Sequence, residues 1–235
     1  MRLHREDGRY LRVGHRGAGT LAPANTIRSL EAALEAGVDL VEFDVLPRNG
    51  ELVLAHAVED VTARSVTLEQ ALAFLARAAP PPVGLDLDLK WYGYEEEVVD
   101  ALRRHGLAGR TLVCSVFPDS LRLVRELEPA LRTGISYPWD RRGLADRRAL
   151  GPVVKGGIAA LRRALPLRIG GLIGRARADA AMLNHLVLSQ AAVERCHALD
   201  TPVFAWTVDR PGDLARVVSL GVDGVVSNDP GIFGR

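Results

Sequence analysis

Two histidines and two acidic segments are the parts of this chain whose side chains could do chemistry. His15 stands in the run Gly14-His15-Arg16-Gly17, and His56 follows a short apolar segment. An imidazole titrates near neutral pH, so two of them can serve as a general acid and a general base. One histidine among six would be weak evidence, whereas two that bracket an acidic segment indicate an active site.

The acidic segments alternate charged and apolar residues. Their charged members are Glu42 and Asp44 in the first segment and Asp86, Asp88 and Lys90 in the second. Because the side chains of a strand alternate between its two faces, four carboxylates would meet in one interior. Carboxylates so close repel one another unless a cation binds them, and oxygen ligands favour Mg²⁺ or Ca²⁺ over zinc. A layer of internal ion pairs with Arg16 and Lys90 is the alternative interpretation.

Arg16 and Lys90 beside such a cation would also form a site for a phosphate group. A guanidinium offers a planar fork of donors and an ammonium offers a compact charge, and both suit a tetrahedral anion. The residue types therefore predict metal-assisted phosphoryl transfer or hydrolysis.

These side chains would come together at the ends of strands in an α/β fold. Eight apolar segments are typical of buried parallel strands, and they are Leu11–Gly14, Leu40–Val45, Val83–Lys90, Thr111–Val116, Arg132–Tyr137, Ala181–His185, Pro202–Val208 and Val222–Ser227. Helical patterns lie between them, at Thr26–Ala36, Leu68–Ala78, Tyr94–His105, Asp119–Leu127, Gln190–Leu199 and Pro211–Leu220. Asn49-Gly50 predicts a hairpin whose second arm is Glu51–Ala55.

The alternation of strands and helices predicts a TIM (β/α)8 barrel that forms a single domain over residues 1–235. An open doubly wound sheet is the alternative. In a barrel, catalytic side chains gather at the carboxyl ends of the strands, which is where the histidines and acidic residues fall.

The composition narrows the classes of protein. The chain has 235 residues and a formal net charge of +1, which argues against a dedicated nucleic-acid-binding protein. No run of 18 apolar residues is present for a membrane span, and two cysteines are too few for a disulfide scaffold. The polar N-terminus and the isolated cysteines make the cytoplasm the expected compartment.

The near-neutral charge is the sum of two unlike parts. Residues Arg141–Ala178 carry ten basic side chains and one acidic one, Asp146, so this basic segment has a net charge of +9 and the remainder has −8. The segment is interpreted as a helical excursion with a solvated face. Weak contact with an anionic membrane is the alternative, and the apolar residues that would take part are Ile158, Leu161, Leu165, Leu167, Leu172 and Ile173.

Several runs, spread in order over essentially the whole chain, resemble those of a known family. They are Gly14-His15-Arg16-Gly17, Pro23-Ala24-Asn25-Thr26, Gly37–Val45, His56, Asp88-Leu89-Lys90, Val203–Asp209 and Gly221–Pro230. Together they resemble the signature of the glycerophosphodiester phosphodiesterases. The resemblance implies a TIM barrel that hydrolyses small glycerophosphodiesters to glycerol 3-phosphate and an alcohol, with a divalent cation, Mg²⁺ or Ca²⁺, as cofactor.

The resemblance also implies a role for individual residues. His15 and His56 resemble the acid–base pair, and Arg16 and Lys90 resemble the residues that bind the phosphate. Trp206 resembles the aromatic residue on the glycerol side of the pocket. The residues that resemble the metal ligands are Glu42, Asp44 and Asp88.

The chain departs from the family pattern at several positions. Alanine replaces an acidic residue at Ala24 and at Ala57, Asp88 is one methylene shorter than the usual glutamate, and Asp209 replaces an asparagine. The usual insertion after the second histidine is strongly shortened, to Ala57–Val66. Two alternatives therefore stay open: a family barrel that acts on another phosphodiester, such as a lysophospholipid at a membrane, and a barrel that binds a phosphorylated ligand without turnover.

Overall fold

Eight parallel strands close into a barrel in a computed structural model that describes residues 1–139 and 151–234, without the side chains of residues 152 and 153. The strands of the sheet are β1 (Leu11–Gly14), β2 (Leu40–Arg48), β3 (Glu51–Leu54), β4 (Gly84–Leu89), β5 (Thr111–Ser115), β6 (Arg132–Tyr137), β7 (Ala180–Asn184), β8 (Val203–Trp206) and β9 (Gly224–Ser227). Around the ring the order is β1, β9, β8, β7, β6, β5, β4 and β2, and β2 pairs with β1 to close it. The predicted TIM barrel is therefore confirmed.

Strand β3 lies outside the ring and pairs antiparallel with β2 through the predicted turn at Asn49-Gly50. This pairing extends β2 to Arg48, beyond its predicted end at Val45. All other differences from the predicted strand ends are one or two residues; β8 is shorter than Pro202–Val208 at both ends, and β9 begins two residues after Val222. Apolar residues continue past the last ladder pairs into the rims of the barrel, so hydrophobicity overstates the lengths of these strands.

Among the residues that the structure describes, seven helices surround the barrel. They are α1 (Ile27–Glu35), α2 (Leu68–Ala78), α3 (Glu95–Arg104), α4 (Pro118–Leu127), α5 (Pro152–Ala176), α6 (Gln190–His197) and α7 (Pro211–Ser219). Thr26 and Ser189 are the N-caps of α1 and α6, because each side chain accepts a hydrogen bond from a backbone N–H of the first turn.

Apolar side chains fill the barrel and the space between strands and helices. Phe204 is fully buried inside the barrel, and a Cβ at Gly224 would lie 2.2 Å from its ring, so only glycine fits at that position of β9. Helix α1 packs Leu30 and Ala33 against the strands. This packing supports the β-strand ends that carry the candidate site.

The basic segment contains the longest helix, α5, of 25 residues. Leu165, Ile169 and Ile173 are buried against the barrel, and other apolar residues of α5 pack against the same core, among them Ile158, Leu161 and Leu172. Leu167, by contrast, is 89% exposed. The apolar face of α5 therefore packs against the barrel, and contact of the basic segment with an anionic membrane stays a prediction. Residues 141–150 of the basic segment lie outside the described residues.

Candidate active site

The carboxyl ends of the strands form the wall of one cavity of about 600 Å³. Of the eight site residues predicted from the sequence, seven line this cavity, and they are His15, Arg16, Glu42, His56, Asp88, Lys90 and Trp206. The eighth, Asp44, is fully buried and contacts three of them. The structure therefore brings together all eight residues.

Backbone geometry directs the first of these residues into the cavity. Arg16 and Gly17 both have positive φ angles, of 53° and 79°. A Cβ at Gly17 would lie 2.3 Å from the backbone carbon of Ser29, so the chain can turn this tightly against α1 only with glycine. The turn points the backbone N–H of Arg16 at Glu42, whose Oε2 accepts it at 2.5 Å.

Three carboxylates form a cluster at the floor of the cavity. One oxygen of each of Glu42, Asp44 and Asp88 lies within 4.8 Å of the other two. Burial raises the pKa of Glu42 well above its usual value, and the neighbouring Asp44 raises it further. Three carboxylate oxygens at this spacing fit a hard divalent cation, which would offset the repulsion between their negative charges. The shorter Asp88 belongs to the cluster all the same.

Asp44 is the most highly connected member of the cluster. Its Oδ1 lies 2.9 Å from Lys90 Nζ, and its Oδ2 lies 3.1 Å from Arg16 Nε and 3.3 Å from His56 Nδ1. Burial alone would raise the pKa of Asp44, but Lys90, the hydrogen bond from His56 and Arg16 hold it well below its usual value. Asp44 therefore carries a negative charge that orients the side chains of Arg16, Lys90 and His56.

Lys90 joins the cluster to the second acidic segment. Its ammonium group donates a hydrogen bond to Asp88 Oδ2 at 2.8 Å while it contacts Asp44. Burial lowers the pKa of Lys90, and the two carboxylates raise it by more, so the lysine stays protonated. The ion-pair layer that the sequence left open is thus present, and it includes the same residues as the candidate metal site.

His15 belongs to a chain of hydrogen bonds that leads away from the cavity. Its Nδ1 lies 2.8 Å from Asn228 Oδ1, and Asn228 Nδ2 donates to Asp209 Oδ2 at 2.7 Å. Burial, and next the positive charge of Arg16, lower the pKa of His15 to about 3. His15 is therefore neutral at neutral pH, with one ring nitrogen engaged by Asn228.

Two contacts of the site were missed in the sequence. The sequence assigned no contact to Asn25, but its amide is buried, donates to Asp44 Oδ2 at 2.9 Å and accepts from the Asp44 backbone N–H at 3.1 Å. The chain of Asp209 and Asn228 was missed as well. The place of Asn25 in a family motif was a signal that could have revealed its contact. The pairing of Asp209 with Asn228 had no such signal, because it joins residues 19 apart across two loops.

Asp86 lies in the same cavity but outside the cluster. It is buried, and burial raises its pKa to about 7. It pairs in register with Glu42, two residues before Asp88 on β4, so it is one layer deeper in the barrel. The four acidic residues thus share one interior, as predicted, although only three of them form the cluster.

Comparison with known proteins decides the family. Two overlapping matches to the model of the glycerophosphoryl diester phosphodiesterase family cover residues 15–79 and 67–232. The chain belongs to the glycerophosphoryl diester phosphodiesterase family. The resemblance identified in the sequence is confirmed, and the chain is assigned as an enzyme of this family.

Two curated relatives in this family are similar over nearly their full length. A glycerophosphodiester phosphodiesterase of Caldanaerobacter subterraneus subsp. tengcongensis is 25% identical, with 93% of both chains covered. A glycerophosphodiester phosphodiesterase of Bacillus subtilis is also 25% identical, with 96% of this chain and 85% of the relative covered.

Solved structures of the family share the fold. A glycerophosphodiester phosphodiesterase from Parabacteroides distasonis superposes with a TM-score of 0.69 at 22% identity, covering 93% of this chain and 92% of that one. A phosphodiesterase from Oleispira antarctica, in complex with the product sn-glycerol-3-phosphate, superposes with a TM-score of 0.69 at 20% identity. The match covers 94% of this chain and 93% of that one.

The departures from the family pattern lie at the edge of the site. Ala24 is exposed, while its neighbour Asn25 holds Asp44. Ala57 lines the cavity, and the short connection that follows contains a single turn of 3-10 helix, Val58–Asp60. Among the residues that the structure describes, no helix is long and apolar enough to cross a membrane.

Proposed function

We propose that this family member is a metal-dependent hydrolase that cleaves glycerophosphodiesters to glycerol 3-phosphate and an alcohol. The observation that carries the proposal is the arrangement of His15 and His56 around one buried carboxylate cluster, with Arg16 and Lys90 in the same cavity. An acid, a base and two cations around a site for an anion are the components that phosphodiester hydrolysis requires.

The carboxylate cluster would hold the divalent ion, Mg²⁺ or Ca²⁺. When bound, the ion would supply positive charge to the phosphate oxygens as negative charge develops on them. Arg16 and Lys90, oriented by Asp44, would bind the same phosphate group from the protein side. Glu42, Asp44 and Asp88 are therefore proposed as ligands of the ion.

The order of the strands suggests how the diester lies. Trp206 is the last residue of β8 and Trp91 comes two residues after the end of β4, and these two strands stand opposite each other in the ring. The buried indole N–H of Trp206 has no hydrogen-bond partner among the described residues, so it is a donor for a glycerol hydroxyl. With glycerol on the Trp206 side, the leaving alcohol points toward Trp91.

His15 is proposed as the general base. Because Asn228 Nδ2 donates to Asp209, its Oδ1 faces His15 Nδ1, which must carry the proton of that hydrogen bond. The lone pair of neutral His15 is then on Nε2. Asn228 follows β9, the neighbour of β8, so the ring of His15 lies toward the glycerol side.

His56 is proposed as the general acid. It follows β3, beside β2, and it contacts Asp44, so it lies on the side of β4 and the leaving alcohol. His15 would take the proton of the glycerol hydroxyl next to the ester, that oxygen would attack phosphorus, and His56 would protonate the departing alcohol oxygen. Water would then open the resulting cyclic phosphate with the two roles exchanged.

The first test is release of glycerol 3-phosphate from glycerophosphocholine and glycerophosphoethanolamine, with and without Mg²⁺ or Ca²⁺. We expect His15→Ala and His56→Ala each to lower turnover by about 100-fold or more, since each removes a proton-transfer group. Both should leave the melting temperature nearly unchanged. His105→Ala is the matched control, because His105 contacts Glu69 at the far end of α3, outside the cavity.

Two results would contradict the proposal in different ways. A folded protein that turns over no diester with either metal, yet binds glycerol 3-phosphate in a calorimetric titration, would be a binding protein and not an enzyme. A large fall in the melting temperature of both histidine variants would show that the histidines are structural.

A further inference from the structure

The outer part of the cavity has a composition unlike that of the phosphate site. The residues that line it after β4, β5 and β6 are Trp91, Val116, Pro138 and Trp139, and Glu59 lines the cavity after β3. This outer wall has two indole rings and a carboxylate but, among its described residues, no basic side chain. Among the described residues of this wall, a ligand group meets aromatic faces and the carboxylate of Glu59.

The two tryptophans of the outer wall are held by a common neighbour. Phe117 contacts Trp91 at a ring-centroid distance of 5.8 Å and Trp139 at 5.2 Å, with interplanar angles of 72° and 71°. Tyr92 stacks on Trp91 at 5.2 Å and meets Phe117 edge-on. Four rings therefore support one another at the rim, which fixes the orientation of the indoles that border the cavity.

These rings remain accessible although they are large and apolar. Trp91 is 41% exposed, Tyr92 55% and Trp139 49%. Aromatic faces bind cations through the ring quadrupole, and quaternary ammonium groups are bound in proteins by such clusters. The carboxylate of Glu59 lines the same cavity, and its negative charge favours a cation over an anion there.

The two parts of the cavity are complementary to a zwitterion. The inner part offers Arg16 and Lys90 to an anionic phosphate, and the outer wall offers rings and Glu59 to a cation. We propose that the outer wall is a subsite for a quaternary ammonium group on the leaving alcohol, so that choline-type diesters are the preferred substrates. This inference rests on the proposed function, because the function places the leaving alcohol on the side of Trp91.

A hydrocarbon chain on the glycerol would not use this subsite. The acyl group of a lysophospholipid is attached to the glycerol, which lies on the Trp206 side in the proposed orientation. The outer wall therefore discriminates among head groups and does not select for an acyl chain.

The experiment compares two esters of glycerol phosphate that have the same shape, the choline ester and the uncharged 3,3-dimethylbutyl ester. Because the two alcohols differ as leaving groups, the decisive quantity is the change in the ratio of their kcat/KM values between wild type and variant. A cation–π contact contributes a factor of about 2 to 30. We expect the ratio to fall about tenfold in Trp91→Leu and in Trp139→Leu, and less in Glu59→Gln.

Trp91→Phe is the matched control. Because this variant keeps an aromatic face, its ratio of kcat/KM values for the two esters should stay close to that of wild type. A variant that folds poorly loses activity on both esters, so a folding defect does not move the ratio. Unchanged ratios in both leucine variants would overturn the assignment of the subsite.

Equilibrium binding separates this inference from the proposed function. With the divalent cation present, phosphocholine should bind more tightly than 3,3-dimethylbutyl phosphate, and Trp91→Leu should remove the difference. Equal affinities for wild type would overturn the subsite. Preferential binding of phosphocholine without turnover of any diester would uphold the subsite and refute the proposed hydrolysis.

Discussion

At the scale of single residues, the tautomer of His15 depends on a pair of side chains behind it. Asp209 accepts hydrogen bonds from the backbone N–H of Asn228 at 2.8 Å and from its side-chain amide at 2.7 Å. A carboxylate can only accept, so it fixes which end of the Asn228 amide faces His15. Asp209, one of the departures from the family pattern, is thus a positioning residue.

Exchange of this pair tests the proposed role of His15. In Asp209→Asn, the new amide keeps its oxygen toward the backbone N–H and turns its NH₂ toward Asn228. The Asn228 amide then reverses, its NH₂ faces His15 Nδ1, and the proton of His15 moves to Nε2. Although asparagine is the usual residue of the family at this position, we expect kcat of this chain to fall about 100-fold with little change in KM, because here Asp209 sets the orientation of the Asn228 amide and its loss removes the lone pair of the base on the substrate side.

The double variant Asp209→Asn/Asn228→Asp should recover most of the activity, because the carboxylate at position 228 again accepts from His15 Nδ1. Nitrogen NMR shifts of the His15 ring report the tautomer directly. Asp200→Asn, whose side chain is 99% exposed, is the control. If the double variant recovers activity but the His15 tautomer is unchanged in Asp209→Asn, the proposed control of the His15 tautomer by Asp209 and Asn228 is refuted.

The clustering of the candidate residues was largely predictable from the sequence, and their hydrogen-bond partners were not. Strict alternation placed Glu42 and Asp44 on one face of β2, and the structure has them together. The hydrogen bonds of Asn25 to Asp44 depend on a left-handed backbone at Asn25, with φ of 58°. Such a conformation in a loop leaves no periodic signal in the sequence.

At the scale of elements, periodicity in the sequence predicted the strands and most of the helices. The buried face of α5, however, could be assigned only from the tertiary structure. Its sequence mixes arginines with apolar residues, and the pattern alone did not show which face the barrel covers. Leu165 and Ile169 meet the barrel, and the exposed face is basic. The exposed basic residues of α5 and its C-cap in the structure are Lys155, Arg162, Arg163, Arg168, Arg175 and Arg177.

This distribution predicts how α5 would contact an anionic membrane. We expect weak binding to vesicles that contain anionic lipid at low salt, and its loss as salt rises, because the contact is electrostatic and the screening length is about 10 Å at 0.1 M salt. Leu167→Ala should leave co-sedimentation unchanged, whereas Arg162→Glu/Arg163→Glu should abolish it. Salt-resistant binding, or its loss in Leu167→Ala, would show that apolar residues insert into the lipid; absence of binding at low salt would exclude the contact.

At the scale of the whole molecule, closure of the barrel brings distant residues to one cavity. His15 follows the first strand, and Asn228 follows the last, 213 residues later. Their contact depends on the pairing of β1 with both β2 and β9. Predicting the fold from the β/α alternation therefore also predicted that both ends of the chain contribute to one site, although the sequence did not specify which pairs would touch.

A divalent cation bound by the carboxylate cluster would couple the stability of the whole barrel to the concentration of that ion. Glu42, Asp44 and Asp88 come from two neighbouring strands of the ring, so an ion held by all three binds the folded state only. At a concentration about 100 times its Kd, such an ion adds about 2.7 kcal/mol to the free energy of unfolding. For a chain of this length we expect Mg²⁺ or Ca²⁺ to raise the melting temperature by about 5–10 °C, and a chelator to reverse the rise.

Asp88→Asn should remove most of this rise, because it takes one charged ligand from the cluster. Asp86→Asn is the matched control, since Asp86 lies on the same strand and in the same cavity but outside the cluster. The melting temperatures are compared with and without the ion, so each variant is its own reference for any change in intrinsic stability. An equal rise in wild type and Asp88→Asn would exclude Asp88 as a ligand, and the ion pairs with Lys90 would then be the sole role of that carboxylate.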